Sequence, residues 1–349
     1  VADRYLEPLE HEELVVRRGR RSGLYTIVAV HSTVRGPSLG GCRMWSYGDA
    51  RAAVRDALRL SRAMTFKSAV ADLPLGGGKG VIMLPAGAPP PQGERRRDVL
   101  LDFGDTIAQL DGRYVTAEDV GTSDADMTVI AERTTHVAGL APERGGSGDP
   151  SPWTPLGVEA AIRVAAERVW GTGDLAGRSV AVIGLGHVGG TLARSLAATG
   201  ARLVVADVAA GRRALAEELG AEWIEPEAAL LADVDIVAPC ALGGALDHDT
   251  IPALRCRVVA GAANNQLASE ELAGALLARG ILWVPDYVAN AGGIINIAVE
   301  LEDAGYDTGR AHERVLAVGD TLRSVLDLAE AERTTPLAAA QALARTRLA

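Results

Sequence analysis

The sequence predicts an α/β protein of two domains, the second built on a doubly wound parallel sheet. Three observations carry that reading. Spaced glycines stand between a short apolar strand and a helix, strand-like and helical segments alternate from there to about residue 286, and 349 residues exceed what one ordinary core organises. With 48% hydrophobic and 23% charged residues the chain can bury two cores, and a net charge of -10 argues against nucleic acid or an anionic membrane as partner.

Taken in order, VADRYLEPLEHEEL at the start lacks the basic opening and apolar core of a signal peptide. LYTIVAVHS (24–32) and GVIML (80–84) read as strands, and DARAAVRDALRLSRAM (49–64) shows helical spacing of Val54, Ala57, Leu58 and Ser61. The basic runs RRGRR (17–21) and ERRRD (94–98) are short and flanked by acids, which suits solvated loops or helix starts. Rich in Gly, Pro and Ser, GLAPERGGSGDPSPWTPLGVEA reads as a hinge near 138–152 that enters a helix near Thr154.

The stretch 178–220 opens with an apolar strand at Val180–Ile183, followed by Gly184, Gly186 and Gly189 in G-x-G-x-x-G spacing. A helix to about Ala198, a second strand RLVVA and Asp207 complete a Rossmann-type dinucleotide-binding unit. Gly184 makes the tight turn, Gly186 admits a pyrophosphate, and Gly189 lets helix pack on strand. The pyrophosphate would meet the free amides and positive end of that helix. Asp207 would accept hydrogen bonds from the adenosine ribose and repel the extra phosphate of NADP, so NAD is the expected cofactor. Arg212 and Arg213 nearby weaken that preference.

Further on, DVDIVAPC (233–240), CRVVAGAANNQ (256–266) and GILWVPD (280–286) continue the alternation. The loops APCALGG (238–244) and GAANNQ (261–266) lie where such a sheet binds ligands; their small and amide residues suit either a flat cofactor or turn formation. TTPLAAAQALARTRLA (334–349) reads as helical. No apolar run reaches the length of a membrane span. Cys42, Cys240 and Cys256 lack C-x-x-C spacing and the six histidines lack metal-binding spacing. Neither a disulfide framework nor a metal is expected, and a reducing cytoplasm fits.

Of the 35 basic residues only Lys67 and Lys79 are lysine, and both fall in FKSAVADLPLGGGKG (66–80). An ammonium can lose its proton when crowded or buried, whereas a guanidinium stays charged. A lysine behind three glycines can approach a substrate closely, and a nearby cation with partial burial would lower its pKa into the range of a general base.

The motifs GPSLGGCRMW (36–45), MTFKSAVADLPLGGGKG (64–80), GRYVTAEDVGT (112–122), GAANNQL (261–267) and NAGGIINIAVEL (290–301), in this order around the glycine loop, resemble the glutamate, leucine, valine and phenylalanine dehydrogenases. The resemblance spans nearly the whole chain. It implies reversible oxidative deamination of an L-amino acid, with hydride passing to NAD. Lys67 then matches the lysine that holds the α-carboxylate, Lys79 the one that activates water, and Asp119 the acid that exchanges protons with the amine. Gly40 and Gly41 match the backbone beside the substrate. Thr154, Ala241, Asn264 and Asn290, with His187 and Val188 in the glycine loop, match the cofactor contacts.

The same resemblance places Leu39, Met64, Ala117, Asn264, Ile294 and Ile297 near the substrate. Leu39 stands where glutamate dehydrogenases carry a lysine for the second carboxylate, and a buried carboxylate without a partner costs several kcal/mol. Two isoleucines one helical turn apart suit Val, Leu or Ile better than an aromatic ring. A branched-chain substrate is therefore expected, with phenylalanine next; a non-catalytic dinucleotide-binding regulator would have no need of Lys67, Lys79 and Asp119. The resemblance further implies a substrate and oligomerisation domain over 1–140, a nucleotide domain over 145–320, and a terminal segment of about 321–349 packing on the first. The active site would be the cleft between the domains, in a homo-oligomer.

Overall fold

The computed structural model describes residues 10–149, 151–241 and 243–349, so most of the stretch read for a leader lies outside the described residues. The chain divides into two compact units: one runs through Asp149 and adds 297–307 and 347–349, and the other comprises 150–296 and 308–346.

In the first unit β1 (Glu13–Arg18), β2 (Tyr25–Ser32), β3 (Ser38–Ser46), β4 (Gly76–Leu84) and β5 (Tyr114–Glu118) form a mixed sheet of order β1-β2-β4-β3-β5. β3 is parallel to both β4 and β5, while β2 is antiparallel to β1 and β4. Alternation along β2 sends Ile27 and Ala29 to one face and Val28 and Val30 to the other, and both faces are covered. α1 (Ala50–Val70) lays Ala53 and Ala57 on Ile27, Ala29 and Val81. On the opposite face α2 (Gly93–Ala108) and α3 (Asp124–Ile130) pack Phe103, Ile107, Met127 and Ile130 against Val28, Cys42, Met44 and Ile82. Burying each of the large side chains contributes about 1.5–3 kcal/mol.

α1 runs six residues beyond the segment read from the sequence, and its start is fixed by Asp49, whose side chain accepts the Ala52 N–H at 2.7 Å. The glycine triplet differs from expectation more sharply. Gly76, Gly77 and Gly78 lie inside β4 and form no loop. A Cβ on Gly77 would stand 2.0 Å from the Thr65 nitrogen, and one on Gly78 2.5 Å from the Tyr114 ring. Their bare backbone lets α1 and β5 close on β4. The basic runs are likewise more than solvated: Arg21 pairs with Asp102 and Asp105, and Arg96 with Asp126.

The second unit carries β6 (Ser179–Ile183), β7 (Arg202–Ala206), β8 (Glu222–Trp223), β9 (Ile236–Pro239), β10 (Val258–Val259) and β11 (Leu282–Trp283) in the order β11-β10-β9-β6-β7-β8, with parallel pairing throughout. This is a doubly wound sheet. Its helices are α4 (Trp153–Trp170), α5 (His187–Ala198), α6 (Arg213–Leu219), α7 (Pro226–Ala229), α8 (Thr250–Ala253), α9 (Leu272–Ala278), α10 (Asp286–Ala289), α11 (Gly292–Glu300), α12 (Thr308–Leu316), α13 (Val318–Glu332) and α14 (Pro336–Leu348).

The expectation that 321–349 packs on the first domain needs correction. Leu337 is buried with Leu246, Leu272 and Trp283 in the second unit, and only 347–349 cluster with the first. There Arg347 donates to the carbonyls of Ala69 and Val70, supplying a cation at the C-terminal end of α1. The segment 297–307 belongs to the first unit because the Glu300 carboxylate takes the N–H groups of Gly139 and Ser147 and the Ser147 hydroxyl, at 2.9, 2.8 and 2.6 Å. No helix of the described residues is long and apolar enough to cross a membrane.

Candidate active site

Strand register assembles the first part of the site. Leu39 lies opposite Gly77 and Cys42 opposite Gly80, which sets Gly41 beside Lys79, and Gly41 also faces Ala117 on β5. Residues opposite one another in a sheet project to the same side. Leu39, Arg43, Lys79 and Ala117 therefore share the face on which α1 lies, and α1 carries the half-buried Met64 and Lys67. On that face Gly41 permits the crowding, since a Cβ there would meet the Asp119 Cβ at 2.7 Å; on the other face a Cβ on Gly40 would meet the Gly78 carbonyl oxygen at 1.8 Å. The fully buried Tyr114 pins the pair by donating its phenol to the Gly40 carbonyl at 2.6 Å.

Asp119 sits just past β5 on a braced turn. Its N–H bonds the Thr122 hydroxyl at 3.0 Å, that hydroxyl donates to the Cys42 carbonyl at 2.8 Å, and Gly121 takes a φ of 85° with its carbonyl held by Arg96. From there Asp119 Oδ2 accepts Lys79 Nζ at 2.5 Å and Arg43 Nε at 3.1 Å. Burial alone would push the Asp119 carboxyl up, but the charges of Lys79 and Arg43 and the Lys79 hydrogen bond outweigh it and hold the group at about 2. Glu118 beside it goes the other way, raised to about 7 by burial and by Asp149 and Asp124.

Sequence reasoning expected a cation against Lys79. The group 2.5 Å from Nζ is instead an anion, and the cation, Arg43, shares that anion's oxygen. Arg43 went unnoticed because nothing marks one arginine among 33; only the parallel pairing of β3, β4 and β5 gathers it with Lys79 and Asp119.

In the second unit the glycine loop has its expected form. Gly184 takes a φ of 95° and packs on Ala241, and Gly189 is so close to the strand that a Cβ would stand 1.9 Å from the Gly184 carbonyl oxygen. Gly186 differs from both, since a Cβ there would meet nothing within 4 Å. It is the N-cap of α5, no side chain caps that helix, and His187 and Val188 form its first turn. The carboxylate of Asp207 is engaged by backbone, accepting the Leu185 N–H at 2.6 Å and the Ala209 N–H at 2.7 Å. Arg213 lies over the Trp223 ring at 5.2 Å and 3.4 Å from Glu225.

A second set of expected residues, Thr154, Asn264 and Asn290, lies around the start of α11 and the loop 261–266. Gly292 lets the start of α4 close on the start of α11, since a Cβ there would fall 2.0 Å from the Trp153 carbonyl oxygen and 3.2 Å from the Thr154 Cα. Asn290 donates to the Ala262 carbonyl at 3.1 Å and to Asn264 Oδ1 at 2.9 Å, while its own Oδ1 is buried without a partner. The loop 261–266 is shaped by Gln266, wholly buried, which donates to the carbonyls of Gly261 and Ala263 and accepts from Trp283 Nε1. Asn265, at φ 53°, serves the turn itself. Ile294 and Ile297 are buried on α11, one turn apart.

Two family models match the chain: Glu/Leu/Phe/Val dehydrogenase, dimerisation domain, over residues 11–136, and Glutamate/Leucine/Phenylalanine/Valine dehydrogenase over 205–349. Leucine dehydrogenase of Bacillus cereus is 43% identical over 99% of this chain and 93% of its own length. The chain belongs to the Glu/Leu/Phe/Val dehydrogenase family.

This amino-acid dehydrogenase is also 42% identical to valine dehydrogenase of Streptomyces albus, over 97% of the chain and 92% of that protein. Among solved structures, L-tryptophan dehydrogenase from Nostoc punctiforme matches with a TM-score of 0.83 at 38% identity, covering 100% of the dehydrogenase and 98% of that chain. The hetero-hexameric glutamate dehydrogenase from Thermus thermophilus matches with a TM-score of 0.79 at 26% identity, over 99% and 95%. Resemblance read from motifs and family membership agree.

Proposed function

We propose that the protein catalyses the NAD-dependent, reversible oxidative deamination of a branched-chain L-amino acid to the 2-oxo acid and ammonia. The observation that carries the reading is the Lys79–Asp119 pair, 2.5 Å apart on the sheet face that also presents Leu39 and Ala117. Lys67 holds the substrate α-carboxylate, with the backbone of Gly40 and Gly41 beside the substrate. Asp119, ionised at neutral pH, takes a proton from the substrate ammonium so that the amine lone pair is free. Lys79 as amine then takes a proton from the water that adds to the imine carbon, and returns it as ammonia leaves.

The residues present fit a dinucleotide. Open space over Gly186, an α5 start without a side-chain cap, and the unpartnered Oδ1 of Asn290 each suit a bound polar group. Gly184 to Gly189 would hold its pyrophosphate, Asp207 its ribose, and Thr154, Ala241, Asn264 and Asn290 its nicotinamide end. When bound it supplies the hydride acceptor for the substrate Cα. Both Asp207 oxygens keep a lone pair for ribose hydroxyls, and the carboxylate would repel a 2′-phosphate, which supports NAD over NADP.

None of the residues assigned to the substrate side chain, Leu39, Met64, Ala117, Ile294 and Ile297, is a cation that could meet a second carboxylate, and leucine and valine dehydrogenases are among the relatives. The tryptophan enzyme among the solved structures favours an aromatic substrate as second reading. Initial rates of NAD and NADP reduction with Val, Leu, Ile, Phe, Trp and Glu decide between them. The branched-chain residues with NAD should be fastest, and a preference for Phe or Trp would overturn the pocket assignment. In keeping with the dimerisation domain of its family and the hexameric relative, we place the enzyme as a homo-oligomer; its free cysteines fit the cytoplasm.

A further inference from the structure

We propose that Arg43 is a positioning residue for the proton exchange, a permanent counter-charge that keeps Asp119 ionised and oriented while Lys79 changes its protonation. The inference rests on the roles assigned above to Lys79 and Asp119. Both cations address one atom: Lys79 Nζ and Arg43 Nε donate to Asp119 Oδ2, at 2.5 and 3.1 Å. In a cycle where Lys79 becomes an amine, Asp119 loses a full positive charge from that oxygen. Without Arg43 a poorly solvated carboxylate would then be left with neither cation on Oδ2, and would turn away or be protonated before the substrate ammonium reaches it. A guanidinium cannot deprotonate, so Arg43 supplies charge and direction at every stage.

Arg43 is itself fixed from the opposite side, as such a role requires. Its NH1 donates to Asp56 Oδ2 at 3.0 Å, the Tyr47 hydroxyl donates to the same oxygen at 2.8 Å, and Arg59 holds Asp56 Oδ1 at 2.9 Å. The row Lys79, Asp119, Arg43, Asp56, Arg59 thus alternates in sign from β4 to α1. Tyr47 ties the far end of β3 into it, and Glu118 and the buried Cys42 are further titratable neighbours of Asp119. A guanidinium suits this task better than an ammonium, because its planar fork addresses two carboxylates at once.

The test is a mutant cycle on the full enzyme with saturating NAD: wild type, Arg43→Gln, Asp119→Asn and the double variant. kcat and KM for the amino acid are read, with melting temperature and NADH fluorescence titration as checks on each protein. Arg43→Gln should lower kcat about tenfold or more in the wild type and less than about twofold in the Asp119→Asn background, because both changes act through one carboxylate. NADH affinity should stay within about twofold, and Arg43→Lys, which keeps charge but not the fork, should recover part of the loss. An equal loss in both backgrounds, or unchanged kcat in Arg43→Gln, would overturn the inference. Full turnover by Asp119→Asn alone would instead remove the role given to Asp119, and this inference with it. If Arg43→Gln does not fold, Asp56→Asn keeps Arg43 and loosens its anchor. It should show a smaller kcat loss that again vanishes beside Asp119→Asn, and a loss that persists there counts against the proposal.

Discussion

A Cβ at Gly77 in the first unit would stand 2.0 Å from a backbone nitrogen of α1, whereas one at Gly186 in the second would meet nothing within 4 Å. The two units build their functional surfaces from opposite materials. The first fills the space its glycines leave with its own helix and strands, and sets charges on the crowded face: Lys79, Asp119, Arg43 and Asp56. The second keeps one glycine open and offers backbone amides at a helix start, with Asp207 as the acid beside them. The contrast follows the chemistry each is assigned. Proton movement needs fixed charges poorly screened by water, while a pyrophosphate needs close approach and unpaired N–H groups.

Substitutions can break this comparison in a graded way. The largest effect belongs to Lys79→Ala, which should cut kcat by roughly 10² to 10⁴ while NADH binding by fluorescence titration stays within about twofold. Loss of NADH binding in that variant would mean the two surfaces are not separable. Gly77→Ala comes next. The clash is with backbone, so about 1–3 kcal/mol or more of stability should be lost, read as a fall in the urea midpoint, with no assigned contact to the dinucleotide altered.

Acid stability sharpens the electrostatic half. The folded-state pKa of Asp119, about 2, lies below the unfolded value, so the pair stabilises the fold at pH above about 4, and that contribution disappears as pH falls through 2. Wild type should therefore lose on the order of 2 kcal/mol more than Asp119→Asn over that window. Parallel urea midpoints against pH for the two proteins would exclude it. The smallest effect is that of Gly186→Ala, whose φ of -65° any residue adopts. Melting should be unchanged, and NADH should bind about tenfold more weakly as a methyl group enters the space proposed above for the pyrophosphate. A large drop in melting temperature would show that Gly186 is as enclosed as Gly77.

The glycine loop was legible because its signal is local. A strand, three glycines, a helix and an acid follow within 30 residues, and Arg202–Ala206 is a strand with the bounds read from RLVVA. Short strands were harder: Glu222–Trp223 joins the sheet edge through two residues, too few for any periodicity. The triplet Gly76–Gly78 misled for a different reason. Glycine in sequence signals freedom, and only a neighbour's position tells whether that freedom makes a loop or admits a helix.

The residues themselves singled out two lysines and one glycine loop as candidates, since an amine's ability to shed a proton and glycine's lack of a side chain are properties of single residues. Tertiary structure alone decided which charges meet. Lys79 and Arg43 come from β4 and β3 and Asp119 from the turn that follows β5; the order β4-β3-β5 makes them neighbours, and register with that turn placed two cations on one carboxylate oxygen. Coulomb interactions fall off with distance in space, and distance along the chain carries no information about them until the sheet has formed.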